Sequence, residues 1–133
     1  MTPTQQGLAE WHTLATSPDP ERLARLVAEG AGFPPPVVHT PQEGRTLVVA
    51  YLSAAAATLG QGQFCYVREI VDGPHAVLEF ACVLDEIQVN GVDIITFDDA
   101  GKITDFKVMI RPIKAVNKVW EMMAAQLEKA SAS

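Results

Sequence analysis

The stretch from Val89 to Arg111, VNGVDIITFDDAGKITDFKVMIR, constrains the chain most, because it reads as two long strands joined by a tight turn. Successive side chains of a strand point to opposite faces, so Phe106, Val108 and Ile110 share one face and Lys107, Met109 and Arg111 the other. The wholly apolar set belongs inside. Asp98-Asp99-Ala100-Gly101 supplies the turn, with residue types that tolerate tight backbone geometry. On the preceding strand, the same alternation puts Asp93 on a face with Gly91, Ile95 and Phe97, among otherwise apolar neighbours. Burial disfavours the charged form of a carboxyl group, so Asp93 is expected to titrate above the ordinary range and to serve as an acid or hydrogen-bond donor near neutral pH. The competing expectation is a core group satisfied by His39, Trp11 or a backbone N–H.

A second hairpin precedes this one. Phe64, Tyr66, Arg68 and Ile70 alternate with Cys65, Val67, Glu69 and Val71, and Asp72-Gly73-Pro74 forms a turn. The following strand, Ala76 to Leu84, sets Leu78, Phe80, Cys82 and Leu84 against Val77, Glu79, Ala81 and Val83. Both faces are mostly apolar, so one is expected to pack on helices and the other on a second copy of the chain. The expected partner is therefore a homodimer mate, meeting the sheet face that carries Glu79, Lys107, Met109 and Arg111.

Upstream the period is helical. Leu8, Trp11 and Leu14 mark a first helix over about Pro3 to Thr16, and Asp19 caps a second whose apolar positions are Leu23, Leu26 and Val27, with Gly30 as its end. Three consecutive prolines, Pro34 to Pro36, predict an extended edge segment leading to His39. A third helix runs from Gly44 to about Thr58. After the strands, Pro112 opens a last helix whose buried stripe is expected to be Ile113, Val116, Trp120 and Met123, with the tail from Ala130 to Ser133 frayed. Three helices, a four-stranded meander and a closing helix make an α+β order. A chain of 133 residues suits one domain, residues 1–133.

The net charge of −6, without any basic run, argues against nucleic acid, whose phosphates demand clustered Lys and Arg. No apolar run reaches membrane-spanning length and the N-terminus lacks a signal-peptide pattern, so a cytoplasmic location is expected. There is no Gly-rich phosphate loop and no His or Cys cluster with metal spacing, so no cofactor and no metal are expected. Cys65 and Cys82 read as two small buried hydrophobes.

With the segment VVHTPQEG leading into the third helix, and the strand-turn-strand FDDAGKITDFKV, the chain resembles the nuclear-transport-factor-2-like superfamily in its SnoaL-like branch, from Trp11 to Met123. The resemblance implies a cone-shaped, cystatin-like α+β barrel: a strongly curved, mostly antiparallel sheet of four to six strands wrapped around three N-terminal helices, with a C-terminal helix. It also implies a mouth that admits a small apolar ligand and a convex face that dimerises. Against the ketosteroid isomerases of that superfamily, Asp93 matches the donor aspartate. Their first-helix tyrosine falls on Trp11, the base carboxylate near Pro35 and the third-helix tyrosine on Leu52. The Arg-Asp pair of the epoxide hydrolases falls on Lys107 and Val108, and the acid of the polyketide cyclases falls within Ile110-Arg111-Pro112. The chemistry of these relatives is thus not carried over intact.

The expected function is binding of a small, mostly apolar ligand inside the cone. Asp93, with His39 or Tyr51, is expected to fix its polar end, Tyr51, Tyr66 and Asn90 are candidate polar handles, and Trp11, Tyr51, Tyr66 and Phe80 are expected to contact the ligand together with Ile95, Phe97, Phe106 and Val108. The alternative is a cofactor-independent lyase, isomerase or hydrolase with Asp93 as general acid or hydrogen-bond donor and His39 as base. The competing reading of His39 is a loop histidine bonded to backbone, as loops commonly carry without chemistry. A third reading, a dimerising module without a ligand, holds if Trp11, Phe80 and Phe97 fill the interior.

Overall fold

The computed structural model describes residues 2–32, 44–60 and 63–132. Helices α1 (Pro3–Thr16) and α2 (Pro20–Leu26) lead into strand β1 (Val27–Gly32), and helix α3 (Gly44–Leu59) precedes strands β2 (Cys65–Asp72), β3 (His75–Leu84), β4 (Ile87–Phe97) and β5 (Ile103–Arg111); helix α4 (Ile113–Ala132) ends the order. The strands form one curved sheet ordered β1-β5-β4-β3-β2, with β1 parallel to β5 and the other pairs antiparallel. Among the described residues, no helix is long and apolar enough to cross a membrane.

Local chemistry sets the helix starts. Thr2 caps α1 reciprocally, its hydroxyl accepting from the Gln5 N–H while the Gln5 side chain accepts from the Thr2 N–H. Asp19 Oδ1 accepts from the N–H groups of Glu21 and Arg22, and Pro20 occupies the first position of α2. An Arg22–Glu10 ion pair joins the two helices.

Several sequence expectations change. The second helix stops at Leu26 rather than at Gly30, because Val27, wholly buried, pairs with Ile103 at the edge of the sheet. Tertiary pairing beside β5 outweighs the helical spacing of Leu23, Leu26 and Val27, and the meander gains a fifth, parallel strand. The alternation expected of β2 breaks at a bulge between Tyr66 and Arg68. Tyr66, Glu69 and Val71 consequently pair with the buried Phe80, Leu78 and Ala76, whereas Arg68 and Ile70 pair with Glu79 and Val77 on the outer face.

The third change concerns α4. It buries Ala115 and Val119, with Met122 and Met123 partly buried, and leaves Ile113 79%, Val116 41% and Trp120 43% exposed. Both stripes have helical periodicity; the small residues win because they let the helix lie close to Phe80 and Val89. Lys118 fixes that rotation, its Nζ lying 3.0 Å from Asp85 in the β3–β4 turn. The helix continues through the tail to Ala132. Cys65 is exposed, not buried, and both cysteines are free.

The inner face of the sheet carries two packed clusters. One gathers Leu8, Leu14, Leu23, Leu26 and Val27 from the first two helices and β1 with Leu78, Ile95, Phe97 and Phe106 of the sheet. The other joins Phe80, Cys82, Leu84 and Val89 to Leu59, Ala115 and Val119 of α3 and α4. Tyr66 and Val108 touch both clusters. Gly91 lies where a Cβ would come 2.5 Å from the Phe80 ring and 2.6 Å from the Met109 carbonyl, so only glycine lets β4 pass here.

Candidate functional site

Asp93 sits in the middle of β4, between Leu78 of β3 and Val108 of β5, and is only 5% exposed. Its inward direction follows from the alternation Val89, Gly91, Asp93, Ile95, Phe97, all buried. Among the described residues no other carboxylate is buried. Burial pushes its pKa up to about 7, against the opposing pull of a hydrogen bond from Tyr66.

That bond is the centre of the site. The Tyr66 hydroxyl donates to Asp93 Oδ2 at 2.8 Å, and the Trp11 indole Nε1–H donates to the Tyr66 oxygen at 2.9 Å. Burial raises the Tyr66 phenol above its ordinary range, the Asp93 charge and bond add to the rise, and the Trp11 bond opposes it. Aromatic packing holds the donors in place: Trp11 lies 5.0 Å from Phe106, and Tyr66 meets Phe64 edge-on at 5.0 Å. Beyond Tyr66, His12 and Glu69 pair at 2.6 Å, and the His12 ring stands edge-on to Tyr66 at 5.5 Å.

The structure therefore joins Trp11, Tyr66 and Asp93 by bonds and sets Phe106 against the first of them. Ile95 and Phe97 lie on the face of Asp93, and Val108 is its neighbour across β5. Phe80 belongs to the other cluster; it is the cross-strand partner of Tyr66 and stacks on Phe64 at 5.2 Å. Tyr51 is half-buried on α3. His39 and Pro35 lie outside the described residues. Of the partners weighed for Asp93, Trp11 acts one step removed, through Tyr66.

The His12–Glu69 pair, with side chains 41% and 40% exposed, has no counterpart in the sequence pattern. Its signal was hidden because Glu69 turns inward only through the β2 bulge. Thr58 on α3 also escaped notice: wholly buried, its hydroxyl has no hydrogen-bond partner among the described residues. A carboxyl group that is half-protonated near pH 7 in an apolar setting can give or take one proton, or hold one oxygen of a ligand.

No curated protein matches the chain. Among solved structures it is similar to a steroid delta-isomerase from Pseudomonas aeruginosa, 34% identical, with a TM-score of 0.89 over 100% of this chain and 97% of that one. A protein with a cystatin-like fold from Silicibacter pomeroyi is 32% identical, with a TM-score of 0.78 over 90% of this chain and 84% of that one. An NTF2-like protein of unknown function from Mesorhizobium loti, 23% identical with a TM-score of 0.68 over 83% of this chain and 92% of that one, shares the fold. The family model for the SnoaL-like domain matches residues 8–106, which span α1 to the middle of β5 and include the whole Trp11–Tyr66–Asp93 relay. The chain belongs to the SnoaL-like family, within the NTF2-like superfamily.

Proposed function

We propose that the chain binds a small, mostly apolar molecule on the concave side of its sheet and holds one polar atom of it with Asp93. A buried carboxyl that meets only neutral donors among the described residues, with Oδ2 bonded to Tyr66, carries this reading. Such a group is costly to bury, and a ligand's polar atom is what its remaining oxygen can serve. The test is to titrate a panel of apolar ketones and phenols against Trp11 fluorescence, in the wild type and in Asp93→Asn. A probe that binds with the wild type and loses affinity by about tenfold or less in the variant supports binding at one hydrogen bond. Probes that all fail to bind, or that bind the two proteins alike, overturn it.

A second reading, proton transfer at carbon, is favoured by the similarity to a steroid delta-isomerase over the full chain. Under it Asp93 is the general acid or hydrogen-bond donor. Double-bond migration in an unsaturated steroid ketone, followed by the absorbance of the conjugated product, tests it. Activity that falls by roughly 100-fold or more in Asp93→Asn supports catalysis.

The outer face of the sheet is proposed to meet a second copy of the chain. Ile70, Val83 and Met109 are exposed there, at 56%, 42% and 54%, around charges of both signs, which lets a two-fold axis oppose unlike charges. Sedimentation at micromolar concentration should find a dimer, and Met109→Glu should shift it to monomer.

A further inference from the structure

The relay that ends on Asp93 has a direction. An indole N–H only donates, so Trp11 occupies one lone pair of the Tyr66 oxygen and cannot do otherwise. The Tyr66 O–H then finds one acceptor among the described residues, Asp93 Oδ2. A proton placed on Oδ2 would turn Tyr66 into an acceptor and leave its own O–H without an acceptor among those residues, deep in the site. Asp93 Oδ1, in contrast, has no hydrogen-bond partner among the described residues.

We propose that Trp11 and Tyr66 are positioning residues that hold the Asp93 proton on Oδ1, so that the oxygen left for a ligand is a donor when the carboxyl is protonated and an acceptor when it is ionised. The inference rests on Asp93 being the polar contact of the site. It assigns Trp11 a role other than wall: through its N–H, the helix α1 decides which carboxyl oxygen is committed and which is offered. It also names the ligand chemistry. A molecule with an acceptor oxygen, such as a ketone, is held by the protonated site, and one with a hydroxyl to donate is held by the ionised site, the exchange falling near pH 7. Among the described residues, the groups that face the relay are few. Tyr66 comes from β2; His12 of α1 and Glu69 of β2 stand behind it, paired with one another; Leu78 of β3 and Val108 of β5, beside Asp93, are apolar.

The experiment uses the ligand-free protein, so its failure is separate from a failure to find a ligand. Aspartate labelled with carbon-13 at the side-chain carboxyl gives the Asp93 titration midpoint by NMR in the wild type, Tyr66→Phe, Trp11→Phe and the double variant. Tyr66→Phe removes a bond to the charged form and should raise the midpoint by about 1 pH unit. Trp11→Phe should raise it by less, and in the Tyr66→Phe background should change nothing, because Trp11 acts only through Tyr66. In the wild type, the Tyr66 hydroxyl proton should move as Asp93 titrates, which keeps the test valid if a variant fails to fold. A midpoint that falls in Tyr66→Phe, a Trp11→Phe effect that persists without Tyr66, or a hydroxyl proton indifferent to Asp93 would each overturn the proposal.

Discussion

Asp93 and Glu79 lie on adjacent strands, diagonally across one register step, with Asp93 opposite Leu78 and Glu79 opposite Val92. They face opposite sides of the sheet. Glu79 turns outward, 3.4 Å from Arg68 and accepting from Asn90 at 3.1 Å, and Asn90 in turn accepts from Arg111 at 3.5 Å. Asp93 turns inward and, among the described residues, receives a neutral donor, Tyr66. One face thus supplies counter-charges from neighbouring strands; the other supplies aligned dipoles from α1 and β2. Among the described residues no cation faces Asp93, and a buried carboxyl group without a counter-charge is one able to change its protonation near neutral pH.

The comparison is broken most severely by Asp93→Asn. The folded carboxyl has a pKa of about 7 against 3.8 for the free group, so between these values the folded state holds a proton that the unfolded state has lost. Its contribution to stability is fully present below 3.8 and is lost as pH rises through about 7, a loss of about 4 kcal/mol at about 1.4 kcal/mol per unit. Asp93→Asn should therefore leave stability near that of the wild type at acid pH and exceed it by about that amount at alkaline pH, as read by urea unfolding. A variant that runs parallel to the wild type across the range would place Asp93 with Glu79, among the neutralised charges.

Gly91→Ala comes next. It adds a methyl group to the inner face against a backbone oxygen and the Phe80 ring, with nowhere to move, and should cost about 2–3 kcal/mol in urea unfolding.

How much of this was legible follows the range of the interactions. The β4–β5 hairpin could be read because its information is local: period-two alternation, and a turn in which Asp98 Oδ1 accepts from the N–H groups of Ala100 and Lys102 while Gly101 takes a φ of 76°. Asp93 itself emerged from the same alternation. Its partner did not, since Tyr66 lies 27 residues away and its strand changes phase at a bulge that no glycine announces. The stripe on α4 was misread for a related reason. Ile113, Val116 and Trp120 satisfy helical spacing as well as Ala115 and Val119 do, and only the closeness of the sheet chooses between them.

Thr58→Val sharpens the account of the inner face at a smaller scale. The hydroxyl lacks a partner among the described residues, and valine keeps the shape, so stability should rise by about 1 kcal/mol. A fall of that size instead would mean that the hydroxyl has a hydrogen-bond partner beyond the described residues.

The smallest effect belongs to the outer face. Arg68 is 68% exposed and 3.4 Å from Glu79, so its ion pair is weakened by water and salt, and Asn90 continues to hold Glu79 when Arg68 is gone. Arg68→Ala should cost about 0.5 kcal/mol or less in dilute protein, by thermal unfolding at low salt. The measurement gains meaning when repeated at high protein concentration. If two copies meet on this face, Arg68 and Glu79 lose their water, the pair tightens, and the same substitution becomes several times more costly as the dimer forms. A cost that stays small at every concentration would mean that the outer face keeps its water. The difference between Glu79 and Asp93 would then be one of solvent against interior, with no second copy involved.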